Sequence, residues 1–115
     1  MKIKQFEIWS ADLNPQFGTE PGKARPVLII QTDLLNKVPH PSTIICPLTT
    51  KIIKDASILR VSIPKNNANL EQTSDILIDQ MRSIDNNRLV QKIGNLPADL
   101  IDLVKANIKI VLDFQ

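Results

Sequence analysis

GTEPGKARPVLII, Gly18–Ile30, is where this chain changes character. Its first half is loop chemistry, with two glycines, a proline, Thr19, Glu20 and Lys23. Its second half, Val27–Ile30, is an apolar run of strand length that predicts a strand buried on both faces. Pro26 can open such a strand, because the first residue need not donate to the ladder. Arg25 stands at the join, a permanent charge where a loop enters a core. An arginine there is commonly a solvated flank.

Working outward, FEIWSADL alternates loosely around Ile8 and Trp9 and predicts a first strand. NPQFGTEPGKA links it to the second as a loop too long for a tight hairpin, and such loops often carry function. TDLLNKV predicts a short helical turn capped by Thr32 or Asp33. STIICPL predicts a third strand, and its Pro47 suggests an edge or a bulge. ASILRVSIP predicts a fourth, with Ile58, Arg60 and Ser62 on one face and Leu59, Val61 and Ile63 on the other. DILIDQMRSID predicts a fifth, unbroken strand, and Leu89–Ile93 a short sixth. Then the period changes. Leu100, Leu103, Val104, Ile108, Val111 and Leu112 make one helical stripe, with Pro97 suited to the first helical position. Asp99 and Asp102 near its start and Lys105 and Lys109 near its end suit the helix dipole. Several short strands and a terminal helix predict a mainly β fold: a small antiparallel barrel or curled sheet with the helix packed on it.

Composition narrows the function. The 115 residues predict one domain spanning 1–115, large enough for a core without a disulfide or metal staple. The one cysteine, Cys46, allows no internal disulfide, which suits a reducing cytoplasm. MKIKQFEIW carries no long apolar run, so neither a signal peptide nor a membrane span is expected. The formal charge of +2 is compatible with nucleic acid. With three Phe and one Trp, aromatic stacking platforms are scarce, so RNA would be held mainly by charges, hydroxyls and backbone groups.

Several chemistries are excluded or disfavoured. His40 is the only histidine, which rules out a two-histidine acid–base ribonuclease, and its place between two prolines suits a solvated turn. No Cys or His cluster marks a metal site, and Asp12, Glu20, Asp33 and Asp79 lack metal-ligand spacing. Cys46 sits in an apolar strand, where an inert thiol is expected. No Gly-rich phosphate loop opens a helix. Two polar features remain, Arg25 in GKARP and Thr49-Thr50-Lys51 at the end of the third strand.

These stand within an ordered set of motifs: GTE, RPVLII, PLT, DQMRSID and KIG. With them, over nearly its whole length, the chain resembles the MazF/PemK family of toxin endoribonucleases from toxin–antitoxin pairs. Lys23-Ala24 stands where a second small residue is common, the turn with His40 is slightly longer, and Pro97 replaces a polar helix cap. None of these departures touches the expected catalytic pair.

The resemblance implies an SH3-like antiparallel barrel of the MazF/PemK/CcdB type with a C-terminal helix, assembled as a homodimer. It implies metal-independent, cofactor-free cleavage of single-stranded RNA at short motifs, giving 2′,3′-cyclic phosphate and 5′-hydroxyl ends, and so arresting translation and growth. The implied catalytic pair is Arg25 and Thr49, with proton transfer given to Arg25 by the resemblance; Glu20 is chemically the better base, and the sequence leaves the choice between the two open. Phe17, Gly18, Thr19, Lys23, Thr50, Lys51, Gln80 and Arg82 are expected near the RNA. The implied partner is a MazE-like antitoxin whose acidic, flexible C-terminal segment covers the site. Residues 16–24 are expected to be mobile in the free protein, with Gly18 and Gly22 supplying unusual backbone angles. The alternative is a non-catalytic toxin of the same fold that binds and inhibits DNA gyrase, which would have no need of the Arg25/Thr49 pair.

Overall fold

The computed structural model describes residues 2–55 and 59–114. Seven strands form one antiparallel sheet: β1 (Glu7–Asp12), β2 (Ala24–Ile29), β3 (Ser42–Thr49), β4 (Arg60–Ile63), β5 (Ser74–Leu77), β6 (Arg82–Asp85) and β7 (Leu89–Asn95). A one-turn helix, α1 (Asp33–Asn36), follows β2, and α2 (Ala98–Leu112) ends the chain. The strand order is β4-β5-β3-β2-β1-β7, with β6 also paired to β3. The mainly β fold with a terminal helix is thus as expected. Residues 56–58, the start of the expected fourth strand, lie outside the described residues.

β3 organises the sheet. One edge pairs with β2, from Ile29↔Ile45 to Val27↔Pro47. The other edge pairs with β6 over Ser42–Ile45 and with β5 over Leu48–Thr49. Pro47 is therefore in an interior strand, not at an edge. The Ile30 N–H donates to the Ile44 carbonyl, so even-numbered β3 residues bond toward β2 and odd-numbered ones away from it. The missing N–H of Pro47 thus faces the gap where β3 changes partner from β6 to β5, and no ladder bond is lost.

The same changeover breaks the expected fifth strand. Ile78–Gln80 form a 3₁₀ turn between β5 and β6. The registers Thr49↔Asp75 and Ile45↔Arg82 require three extra residues between the two ladders, and the turn supplies them.

The strands bury both faces. Ile8, Leu28, Cys46, Leu48, Ile76 and Ile78 form one cluster, and Trp9, Ala11, Val27, Ile29, Ile45 and Ile84 form the other. VLII indeed serves both. α2 covers the first cluster with Val104 fully buried and Leu100, Ile101, Ile108 and Val111 packed beside it. Leu103 and Leu112 are exposed instead, at 52% and 46%, so the stripe is narrower than the spacing suggested and includes Ile101. Pro97 is the N-cap, one residue before its expected place. Thr32 caps α1, accepting from the Leu34 N–H at 3.2 Å.

Candidate active site

The site is built where β2 and β3 leave the ladder. Continuing the Val27↔Pro47 register by one residue sets Pro26 against Leu48. The Leu48 carbonyl points toward β2, and Pro26 has no N–H to offer it. The Arg25 guanidinium fills that place: its Nη1 donates to the Leu48 carbonyl at 3.2 Å, and its Nε donates to the Gly22 carbonyl at 2.8 Å. This answers why a charge precedes the proline. The side chain replaces the backbone donor that the proline lacks, and two backbone oxygens fix the guanidinium in return.

The β2–β3 ladder ends at Val27↔Pro47, and its register extended by two residues would set Arg25 against Thr49. Both residues line a groove of about 560 Å³ whose walls include Lys23, Arg25, Thr49, Thr50, Lys51 and Arg60. No carboxylate lines this groove. Arg25 has no ion-pair partner among the described residues. Burial pushes its guanidinium below its ordinary pKa, although an arginine stays protonated at neutral pH. The groove therefore holds partly desolvated positive charge that awaits an anion, and a phosphodiester matches a guanidinium fork.

Thr49 ends β3 with its Oγ1 accepting from the Lys51 N–H at 3.2 Å. No acceptor among the described residues takes its hydroxyl hydrogen.

The expected site residues fall into two groups. Arg25, Thr49, Lys23, Thr50 and Lys51 share the groove. Phe17, Gly18, Thr19, Glu20, Gln80 and Arg82 do not line it. Phe17–Glu20 form an exposed turn closed by the Glu20 N–H on the Phe17 carbonyl at 2.9 Å, with Gly18 at φ +51°. Arg82 opens β6, and its Nη1 lies 3.6 Å from Glu20 Oε1, linking that turn to the sheet. Gln80 lies in the 3₁₀ turn just before.

The loop's base is anchored. The Leu13 N–H bonds to the Lys23 carbonyl, and the Lys23 N–H to Asn14 Oδ1, at 2.9 and 2.8 Å. Pro21 and Gly22 are buried. Gly22 does not adopt a positive φ; it is needed for space, because a Cβ there would meet the Gln16 Cβ at 2.6 Å. Gly18 alone serves the expected conformational role. These contacts tie Pro21–Lys23 to the sheet, whereas Pro15–Glu20 are exposed.

The remaining polar residues are structural. His40 Nδ1 is 2.7 Å from the Ser42 carbonyl. Burial pushes the Cys46 thiol up to about 12, with the Asp79 charge adding to it, so this thiol is inert. Asp33 bonds to the Gln5 N–H and to Asn36 Nδ2. Among the described residues, no three His, Cys, Asp or Glu side chains converge as a metal-ligand group. No described helix is long and apolar enough to cross a membrane.

Sequence reasoning missed the 3.2 Å ion pair between Arg60, which lines the groove, and Asp75, which does not. The alternation of RVSI marked Arg60 as polar-faced, but only the β4–β5 and β3–β5 registers bring it to Asp75 and Thr49.

A family model for PemK-like, MazF-like toxins of type II toxin–antitoxin systems matches residues 4–112. Endoribonuclease EndoA of Bacillus subtilis (strain 168) is 37% identical over 112 residues, covering 97% of this chain and 96% of that protein. The solved Mycobacterium tuberculosis toxin MazF-mt6 superposes with a TM-score of 0.78 at 25% identity, covering 95% of this chain and 98% of that one. The MazE–MazF crystal structure from Deinococcus radiodurans shares the fold, with a TM-score of 0.77 at 22% identity over 100% of this chain and 99% of that one. The groove thus lies in a chain matched almost from end to end, and this protein belongs to the PemK-like, MazF-like toxin family of type II toxin–antitoxin systems.

Proposed function

We propose that this toxin-family endoribonuclease cuts single-stranded RNA in the Arg25–Thr49 groove, with the RNA's own 2′-hydroxyl as nucleophile and without a metal ion. The observation that carries this reading is the unpaired guanidinium of Arg25, fixed by two backbone carbonyls in the groove that Thr49 also lines. The 2′-oxygen forms a bond to phosphorus and loses its proton to a base. The bond from phosphorus to the 5′-oxygen breaks, and that oxygen leaves as a hydroxyl after taking a proton from water. The products are a 2′,3′-cyclic phosphate and a 5′-hydroxyl. Arg25 offsets the charge that builds on the nonbridging oxygens, and Thr49 donates a hydrogen bond to one of them.

Glu20 is the base in this scheme. A guanidinium is a poor proton acceptor at neutral pH, even one whose pKa is lowered by burial. Glu20 is outside the groove in the free protein, held by Arg82 at 3.6 Å with half its side chain exposed. An exposed pair of this kind contributes little, so a phosphate on Arg82 can release it. The tip at Pro15–Glu20 then closes over the RNA, carrying Glu20 to the 2′-hydroxyl and Phe17, 69% exposed, to a base face.

The same cations suit an antitoxin with an acidic, flexible segment, which would lie across Lys23, Arg25 and Lys51 and exclude RNA. A homodimer is supported by Leu103, Ile110, Leu112 and Phe114, which leave apolar surface exposed on and beyond α2. No feature of the groove calls for the gyrase-binding alternative. The test is to incubate the purified protein with mixed-sequence RNA in excess EDTA. Discrete cleavage at a short recurring motif is expected; intact RNA, or cleavage only with Mg²⁺, would remove this reading.

A further inference from the structure

Among the described residues, Arg60 is the groove cation that already has a carboxylate partner. Its Nη1 is 3.2 Å from Asp75 Oδ2 and donates at 2.7 Å to the Lys51 carbonyl. Asp75 is not placed at random: it stands directly opposite Thr49 in the β3–β5 ladder. The Lys51 N–H in turn donates to Thr49 Oγ1 at 3.2 Å. The contacts close a circuit from Thr49 to Lys51, to Arg60, to Asp75 and back across the ladder to Thr49.

The circuit is set partly below the surface. The Asp75 side chain is 5% exposed and that of Arg60 is 18%. A carboxylate buried to that degree is costly without its partner, so the two side chains hold one geometry. That geometry holds the Lys51 backbone on both sides of its Cα, with the carbonyl on Arg60 and the N–H on Thr49 Oγ1. A threonine hydroxyl has one hydrogen to give. With the Lys51 N–H occupying a lone pair of Thr49 Oγ1, that hydrogen is turned away from the Lys51 N–H and left available to the groove that Thr49 lines.

We propose that Arg60 and Asp75 are a positioning pair, clamping the Lys51 backbone so that its N–H holds the Thr49 hydroxyl as a donor aimed at the scissile phosphate. This rests on the function proposed above. Neither residue touches the reacting atoms. They act through Thr49, so their removal slows the chemical step and leaves RNA affinity unchanged.

The experiment is single-turnover cleavage across a range of RNA concentrations by the wild-type protein, Arg60→Lys, Asp75→Asn, Thr49→Ala and the two double variants with Thr49→Ala. Arg60→Lys keeps the charge but replaces the planar Nη1 group that donates to both acceptors with an ammonium on a shorter stem. Its rate at saturating RNA is expected to fall about tenfold, the scale of a misplaced catalytic group, with half-saturation unchanged. Asp75→Asn keeps an acceptor oxygen and should lose less. In the Thr49→Ala background neither change should slow the reaction further. Melting curves identify variants that fail to fold, and Asp75→Asn carries the comparison should Arg60→Lys be one of them. Equal fold-losses with and without Thr49→Ala would show a merely structural role and overturn the proposal. A raised half-saturation at unchanged rate would show a direct RNA contact and also overturn it. Arg25→Ala is run alongside: wild-type cleavage by that variant would overturn the functional reading itself, and this inference with it.

Discussion

The two ends of the loop between β1 and β2 are built on opposite principles. At its C-terminal end, Arg25 is tied to the Gly22 and Leu48 carbonyls and lines the groove with Thr49. At its tip, Phe17–Glu20 rest on one short turn and a 3.6 Å ion pair to Arg82. The first end spends backbone hydrogen bonds on holding a charge still. The second leaves its side chains to solvent. Under the proposed function the contrast separates the work: a charge that stabilises a transition state is best preorganised, whereas groups that admit and grip a flexible strand need freedom to move.

The sharpest way to break this comparison is to remove the fixed end. Arg25→Ala and Thr49→Ala should each lower the cleavage rate at saturating RNA on the order of a hundredfold or more, the usual loss for one preorganised donor. Retained activity in both would refute the division of labour. Circular dichroism should show both variants folded, since the ladders hold without either side chain. Arg25→Ala should be the less stable of the two, because it leaves the Leu48 carbonyl without its donor at about 1 kcal/mol or more.

At the exposed tip, Glu20→Gln tests the base. The rate should fall about a hundredfold, because the group that takes the 2′ proton is gone. An unchanged rate would move the proton transfer elsewhere. Phe17→Ala should weaken RNA binding about tenfold, the scale of one base stacked on an aromatic, with little change in rate at saturation. A loss confined to the rate would instead assign Phe17 to the fixed machinery.

Much of this was legible in the sequence, but unevenly. VLII announced a strand buried on both faces, and the period of LPADLIDLVKANIKIVLDF announced α2. The motifs around Arg25 and Thr49 pointed to both residues. What could not be read was anything set by register. Pro47 looked like an edge because its missing N–H is visible in the sequence, while the partner change that accommodates it is not. DILIDQMRSID looked continuous because each half alternates, and only pairing with β3 demands the break at Ile78–Gln80. Arg25 as a stand-in for the donor that Pro26 lacks, and Arg60 with Asp75, likewise need two or three strands brought together. Glu20 was expected near the RNA by resemblance, and its partner in the free protein, Arg82, is sixty-two positions away in sequence.

The smallest effect expected lies far from the groove. Glu7 is buried in β1, accepting from the Lys4 N–H and Trp9 Nε1 at 2.8 and 3.0 Å and pairing with Lys92 at 3.0 Å. Burial alone would raise its pKa, but these partners outweigh it and leave the carboxyl below its ordinary value of 4.5. A carboxyl depressed in the folded state contributes stability that is fully present above its unfolded pKa and lost as pH falls through the folded one. Urea midpoints should therefore decline below about pH 4.5, and Glu7→Gln should flatten part of that decline while costing about 1.5 kcal/mol at neutral pH. An identical acid slope in both proteins would show that Glu7 carries no such linkage.

The central claim is that the RNA supplies the nucleophile and the groove supplies fixed charge. The most direct measurement is to cleave a defined RNA in EDTA, identify the chemistry of both new ends, and repeat with a single 2′-deoxy nucleotide at the cut position. A 2′,3′-cyclic phosphate upstream, a 5′-hydroxyl downstream and no cleavage of the deoxy substrate are the predicted results. A 5′-phosphate, or undiminished cutting of the deoxy substrate, would show that water or a protein group attacks the phosphorus, and would contradict the account.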